Sequence, residues 1–270
     1  MSDRYAIFEK VEQREALYNF RVKLYPDEGG IFRPVEGMAC SHFIFNPDGF
    51  ESDFILSSSR PTVPTPEEEK IDRSRRRAKA KLNDLIMCND FKYFVTLTLS
   101  PEAVADRTNY AEVIKKLNHF LGNRVRRKGL TYIGVAERHK LGGVHFHFLT
   151  NGVLSLEHSG TYLVDGHKKP LKESTVIRLG VDPDSCRVVY NVSDWRIGFS
   201  TAIEVDGNRQ ALANYIGKYL TKGEKVGGRW YLSGGDLVKP MYKYSRVDFD
   251  SFPADFEFTC PSGEFRVQYF

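Results

Sequence analysis

Hydrophobic and polar positions change period several times along the chain, and each change marks an element. YFVTLTLS (93–100) is β-branched and aromatic, which reads as a strand central to its sheet. From Asn109 to Arg127, Val113, Leu117, Phe120 and Leu121 recur at helical spacing, with Lys115, Lys116 and Arg124 on the wet side. TYIGVAE (131–137) and VHFHFLT (144–150) are two further strands around the turn RHKLGG, and FSTAIEV (199–205) is another. A Gly207-Asn208 turn leads into the helix RQALANYIGKYLTK (209–222), where Leu212, Ile216 and Leu220 form one apolar arc. Upstream, Thr65 can cap a helix with Pro66 at its first position and Glu67–Glu69 in its first turn, running to about Met87.

The remaining segments are less regular. Residues 1–60 read as β-rich and aromatic, 57–66 as a Ser/Pro linker, and 223–270 as β-like segments between glycine pairs. Residues 151–198, rich in Gly, Pro, Asp and Ser, are expected to be irregular. No period of 20–50 residues repeats. The predicted class is α+β: a central antiparallel sheet of about five strands with flanking helices gathered on one face. Its expected divisions are an N-terminal β-rich extension (1–60), a linker and basic helix (61–90), a core (91–225) and a C-terminal extension (226–270).

Composition narrows the class. At 270 residues and 41% hydrophobic content the chain can bury a real core. The opening MSDRYAIFEK lacks a signal-like apolar stretch and no run reaches spanning length, so a cytoplasmic, non-membrane protein is expected. Cys40, Cys88, Cys186 and Cys260 lie far apart without a CxxC pair, which fits reduced thiols better than a disulfide framework or zinc knuckle. The net charge of +4 is unevenly placed, because residues 60–130 carry 16 Lys/Arg against 9 Asp/Glu. Within KIDRSRRRAKAK (70–81), Arg73, Arg75, Arg76 and Arg77 are candidate phosphate contacts, as are Lys168 and Lys169 in KKPLK. A solvated helix face would carry the same pattern.

The chemistry lies in three places. Alternation along a strand puts His145 and His147 on one face, with Val144, Phe146 and Phe148 on the other. That spacing describes two half-exposed sheet histidines as well as a pair of metal ligands. Glu137 lies eight residues before His145 across a glycine turn, and a hairpin with those two opposite would place all three side chains on one face. Two imidazoles and a carboxylate suit Mn²⁺ or Mg²⁺, although Glu137 could equally be a hairpin-end acid paired with Arg138. In NYIGKYLTK, Tyr215 and Tyr219 are i,i+4 neighbours beside the apolar stripe, with Lys218 and Lys222 on the same arc. Core-edge packing would account for the tyrosines alone. Together the groups form a recognisable set: a phenol to attack a phosphodiester, a cation to polarise the phosphate, and a lysine to steady it.

These residues resemble the HUH endonucleases that initiate rolling-circle replication, most nearly the phage gene A type with two tyrosines. The likeness rests on Phe94-Val95-Thr96-Leu97-Thr98, on His145-Phe146-His147, and on Tyr215-Ile216-Gly217-Lys218-Tyr219-Leu220-Thr221-Lys222. Glu137 and Trp195-x-x-Gly198 match further positions, and the resemblance spans roughly residues 91–222. It implies a ferredoxin-like sheet presenting the histidines beneath a tyrosine helix. It also implies nicking of single-stranded or hairpin origin DNA, with the 5′ end held on tyrosine and a free 3′-OH left for a polymerase. His145, His147 and Glu137 would hold the metal, Tyr215 and Tyr219 would be nucleophiles, and Lys218 and Lys222 would assist. Either tyrosine could instead be accessory to the other.

With no GxxxxGK[ST] loop in the chain, unwinding is expected from a host helicase and extension from a host polymerase. The rival readings are a transposase- or relaxase-type strand transferase, a small-substrate metallohydrolase, and a DNA-binding module without catalysis. Histidines ahead of tyrosines is the initiator order. The glutamate that cupin-like His-x-His sites place shortly downstream is missing between Asn151 and Ser155.

Overall fold

The computed structural model describes residues 20–27, 29–33, 40–45, 66–138, 143–167, 169–222, 225, 228–245, 256–260 and 263–268. The chain divides into two compact units, one of residues 1–64 with 239–270 and one of residues 65–238.

In chain order the strands begin with β1 (Phe20–Pro26), β2 (Phe32–Arg33) and β3 (Cys40–Phe45), followed by helix α1 (Pro66–Cys88). Next come β4 (Tyr93–Leu99), α2 (Tyr110–Lys128), β5 (Tyr132–Arg138), β6 (Val144–Thr150), β7 (Leu156–Leu163) and β8 (Leu171–Lys172). After α3 (Glu173–Arg178) the chain continues through β9 (Arg187–Val192), β10 (Gly198–Glu204) and α4 (Arg209–Lys222). The last strands are β11 (Leu232–Gly234), β12 (Met241–Ser245), β13 (Phe256–Cys260) and β14 (Gly263–Gln268).

The smaller unit is an antiparallel sheet ordered β12-β1-β3-β14-β13, with β2 paired to β1. The β-rich character expected at both ends of the chain is therefore partly one shared sheet. The Thr65 cap and the 57–65 linker lie outside the described residues.

The larger unit carries an eight-stranded sheet ordered β11-β5-β6-β4-β10-β9-β7-β8. Its α+β class and antiparallel pairing are those the periodicity predicts. Because β4 and β5 both run antiparallel to β6, they are parallel to each other, and α2 is the crossover of a split β-α-β unit. Asn109 starts α2 by accepting from the Glu112 amide, and Gly129 ends it in the left-handed region at φ 66°.

Residues 151–198 are not irregular. They supply β7, β8, α3 and β9, which extend the sheet beyond β10. Period-2 patterning is weak there because these strands are mostly half-buried or exposed, so their side chains carry little apolar contrast.

The helices also differ from expectation by covering both faces. On one face Val113, Leu117, Phe120 and Leu121 of α2 pack with Val95, Leu97, Phe146 and Phe148. On the other, Leu82, Leu85 and Ile86 of α1 and Ala213, Ile216 and Leu220 of α4 pack with Ile133, Val135 and Leu149. The physical reason lies in the central strands, whose consecutive residues are apolar on both sides and need cover on both. Gly134 sits opposite Phe148, and a Cβ there would overlap the Phe148 ring, so its missing side chain lets that ring lie across β5.

Two contacts fix α1 and α4. Asn89, just past α1, donates to the carbonyls of Leu85 (2.7 Å) and Val238 (2.9 Å). Arg209 at the start of α4 donates to Met87 O (3.1 Å) and Asp90 (3.0 Å). Neither Cys88 nor Cys186 is in a disulfide. Among the described residues no helix is long and apolar enough to cross a membrane.

Phe146, fully buried between the two histidines, holds the face on which they stand. Phe146→Ala should cost about 3–5 kcal/mol in urea unfolding. A loss below about 1 kcal/mol, the range of an ordinary surface change, would show that this packing does not fix the strand.

Candidate active site

Register builds the site. Across β5, β6 and β4 the paired positions are Glu137–His145–Thr98, then Val135–His147–Thr96, then Ile133–Leu149–Phe94. All nine side chains share one face, because directly paired residues point the same way. Glu137 therefore stands directly beside His145, one pair from His147.

Helix α4 lies over this face. The Tyr219 ring stacks on His147 with centroids 4.2 Å apart and planes 23° from parallel. Tyr215 meets Phe94 edge-on at 5.1 Å. The Tyr219 hydroxyl donates to the Tyr215 hydroxyl at 3.0 Å, so both phenol oxygens occupy one spot. Asn208 starts the helix, its side chain accepting from the Ala211 amide at 2.9 Å. Tyr215 is 43% exposed, whereas Tyr219 is half-buried.

His147 is 7% exposed and held at both nitrogens. Nε2 lies 2.9 Å from Glu137 Oε2, and Nδ1 lies 3.1 Å from Thr96 Oγ1. An ionised carboxylate only accepts, so Nε2–H donates to it and Nδ1 accepts from the Thr96 hydroxyl. Burial pushes the His147 pKa down, against the pull of the Glu137 carboxylate, and favours the neutral ring that a metal requires. His145 is half-buried, its ring centroid 6.4 Å from that of His147.

These side chains do not form a ready-made cation cage. Among the described residues no three His, Cys, Asp or Glu side chains converge as one. The Glu137–His147 hydrogen bond explains this, because a proton occupies the line a cation would take. The donor set itself, two imidazoles and a carboxylate on one face, fits a divalent cation that keeps positions for other oxygen ligands. Thr96 accommodates both states, since its hydroxyl can give a hydrogen bond to Nδ1 or take one from Nδ1–H.

The span that contains every one of these groups also has relatives. Residues 92–224 match the family model for the replication-associated protein ORF2. That is a little under half of the chain, beginning just before β4 and ending just after α4. The match is consistent with a rolling-circle replication initiator. No curated protein and no solved structure matches the chain.

The other candidate residues are placed less closely. Lys218 is exposed on α4, three residues after Tyr215 and hence its helical neighbour. Lys222 closes α4, with its side chain outside the described residues. Arg73, Arg76 and Arg77 lie on α1 with Arg73 and Arg77 exposed and Arg76 partly so, while Arg75 pairs with Asp72. Lys79, on the same helix, reaches α4: a Cβ on Gly217 would sit 3.3 Å from Lys79 Cε. Lys168 lies outside the described residues. Lys169 is exposed before β8, five strand positions from β6 and so roughly 24 Å across the sheet. It is not brought to the histidines.

Thr96 and Phe94 are the positions whose roles patterning missed. Their strand was legible, but nothing in a β-branched run marks which threonine meets an imidazole.

Burial chiefly, then the hydrogen bond and charge of Tyr215, then the Glu137 carboxylate, push the Tyr219 pKa well above that of an ordinary phenol. Removing an opposing group should lower it. Tyr215→Phe and Glu137→Gln should each let Tyr219 ionise at lower pH in an ultraviolet phenolate titration, with Tyr219→Phe identifying the transition. No downward movement in either variant would contradict the arrangement.

Proposed function

We propose that the unit of residues 65–238 nicks and rejoins single-stranded origin DNA as a rolling-circle replication initiator. The observation that carries this reading is the pair of tyrosine hydroxyls held over His147 on the face shared with Glu137. A phenol in that position has one natural partner, the phosphorus of a backbone phosphate lying on the imidazole–carboxylate face.

In the reaction the phenol oxygen bonds to phosphorus and the bond from phosphorus to the 3′ oxygen breaks. The departing oxygen takes a proton and leaves as a free 3′-OH, while the 5′ phosphate stays on tyrosine. The reverse step rejoins the strand without an external energy source, since the phosphotyrosine conserves the broken phosphodiester. With two tyrosines on adjacent turns, one holds DNA while the other attacks the regenerated origin, which permits release of a circle.

A divalent cation, Mn²⁺ or Mg²⁺, held by His145, His147 and Glu137 would polarise the phosphate and favour phenolate. The chain's own residues do the rest. Thr96 fixes the His147 ring, burial keeps that ring neutral, and Tyr215 orients the Tyr219 hydroxyl. Lys218 and Lys222 follow each tyrosine by three residues and supply positive charge for the phosphate. Arg73, Arg76 and Arg77 on α1 provide further backbone contacts. Lys168 and Lys169 would meet DNA only at a distance from the scissile phosphate. A host helicase would present the strand, and a host polymerase would extend the 3′ end.

Incubation with Mn²⁺ and single strands tiled across the DNA that encodes the chain should give a covalent protein–DNA band on a denaturing gel. The band should disappear with a chelator and in Tyr215→Phe/Tyr219→Phe. If the double variant still forms it, the tyrosine assignment is wrong. Thr96→Val, which removes the Nδ1 partner, should raise the Mn²⁺ concentration needed by about 10- to 100-fold.

A further inference from the structure

One large apolar side chain is left in water beside this site. Phe199 is 75% exposed, the highest value among the exposed large hydrophobic residues described. It stands on β10, the strand that pairs with β4 on the side away from β6. The register pairs Phe199 with Thr98 and Thr98 with His145, so the first row of the site continues as Glu137–His145–Thr98–Phe199. All four side chains share the face covered further along by Tyr219 and Tyr215. Two strand spacings, about 10 Å, separate the positions of Phe199 and His145.

The backbone under Phe199 is held firmly. Trp195 is buried and its Nε1 donates to the Thr98 carbonyl at 3.1 Å. At Gly198, a Cβ would overlap that same carbonyl oxygen, so only glycine lets β10 begin this close to β4. The Ser100 amide donates to Ile197 O at 3.0 Å, closing the same corner. An exposed ring on such a fixed strand adds little to folding, yet it offers a rigid flat face with little side-chain entropy to lose. Cations lie at the same end of the sheet: Arg196 is exposed three residues earlier, and the Arg107 guanidinium reaches Gly143 at the start of β6. A strand whose phosphate rests at the histidines would pass between these charges.

We propose that Phe199 is a stacking platform for a nucleobase of the single strand engaged at His145 and His147. The inference rests on the single-strand nicking reading above and adds a sequence-tolerant contact to it, because every base has a face that can stack. A duplex, whose bases are already stacked on one another, cannot use this platform.

The test is binding of fluorescent oligothymidine by anisotropy, with wild type, Phe199→Ala, Phe199→Trp and Ile177→Ala, the last removing an exposed side chain on α3. Phe199→Ala should weaken binding about 5- to 150-fold with its salt dependence unchanged, since the phosphate contacts remain. Phe199→Trp should restore binding, and Ile177→Ala should match wild type. An oligonucleotide carrying 2-aminopurine should be quenched by wild type and less so by Phe199→Ala. Unaltered affinity and quenching in Phe199→Ala would overturn the proposal, as would failure of tryptophan to restore them or an equal loss in Ile177→Ala. Failure of wild type to bind any single strand would instead overturn the nicking reading itself.

Discussion

The antiparallel register of β5, β6 and β4 is the constraint on which the rest depends. Side chains on a strand alternate with a period of two, so a slip of one residue would turn His145 and His147 into the α2 core and bring Phe146 out to face α4. Burial prevents that slip. Phe146 and Phe148 are fully buried against α2, and Gly134 makes the space that the Phe148 ring fills. The same register sets Glu137 against His145 and Thr96 against His147. One packing decision thus fixes four polar groups at once.

A sheet that is apolar on both faces needs two layers of cover, and the second layer brings the phenols. Ala213, Ile216 and Leu220 seat α4 on Ile133, Val135 and Leu149, while Arg209 ties its first turn to the end of α1. With the apolar arc seated, a helical step of about 100° leaves Tyr215 and Tyr219 at the edge of the contact, over Phe94 and His147. The tyrosines sit at the boundary between core and solvent, where a ring can pack while its hydroxyl stays reachable. Core packing and chemistry share the same helix without competing for the same residues.

Electrostatics within the site are a balance of burial against charge. Burial disfavours charge on both His147 and Tyr219, lowering the first pKa and raising the second. Glu137 opposes the first shift and adds to the second. With no cation considered, the site therefore rests with neutral rings and protons shared along His147–Glu137 and Tyr219–Tyr215. A positive charge at Glu137 would reverse the sense of its effect on the phenol, which gives the carboxylate a role beyond that of a ligand.

The sequence by itself determined the elements with strong periodicity. The strands at 93–99, 132–138 and 144–150 and the helices at 110–128 and 209–222 were legible because apolar contrast along them is high. It also placed two histidines on one face and two tyrosines on one arc, since those follow from local geometry alone. It could not reveal β7 and β9, whose side chains are too little buried to show a period, nor that helices cover both faces of the sheet. The neighbours of each functional group were equally hidden. That Thr96 rather than Thr98 meets His147, that Tyr219 rather than Tyr215 stacks on it, and that Phe199 falls in the row of His145 all depend on pairing between strands distant in sequence. Local sequence sets which way a side chain faces; only tertiary pairing decides what it faces.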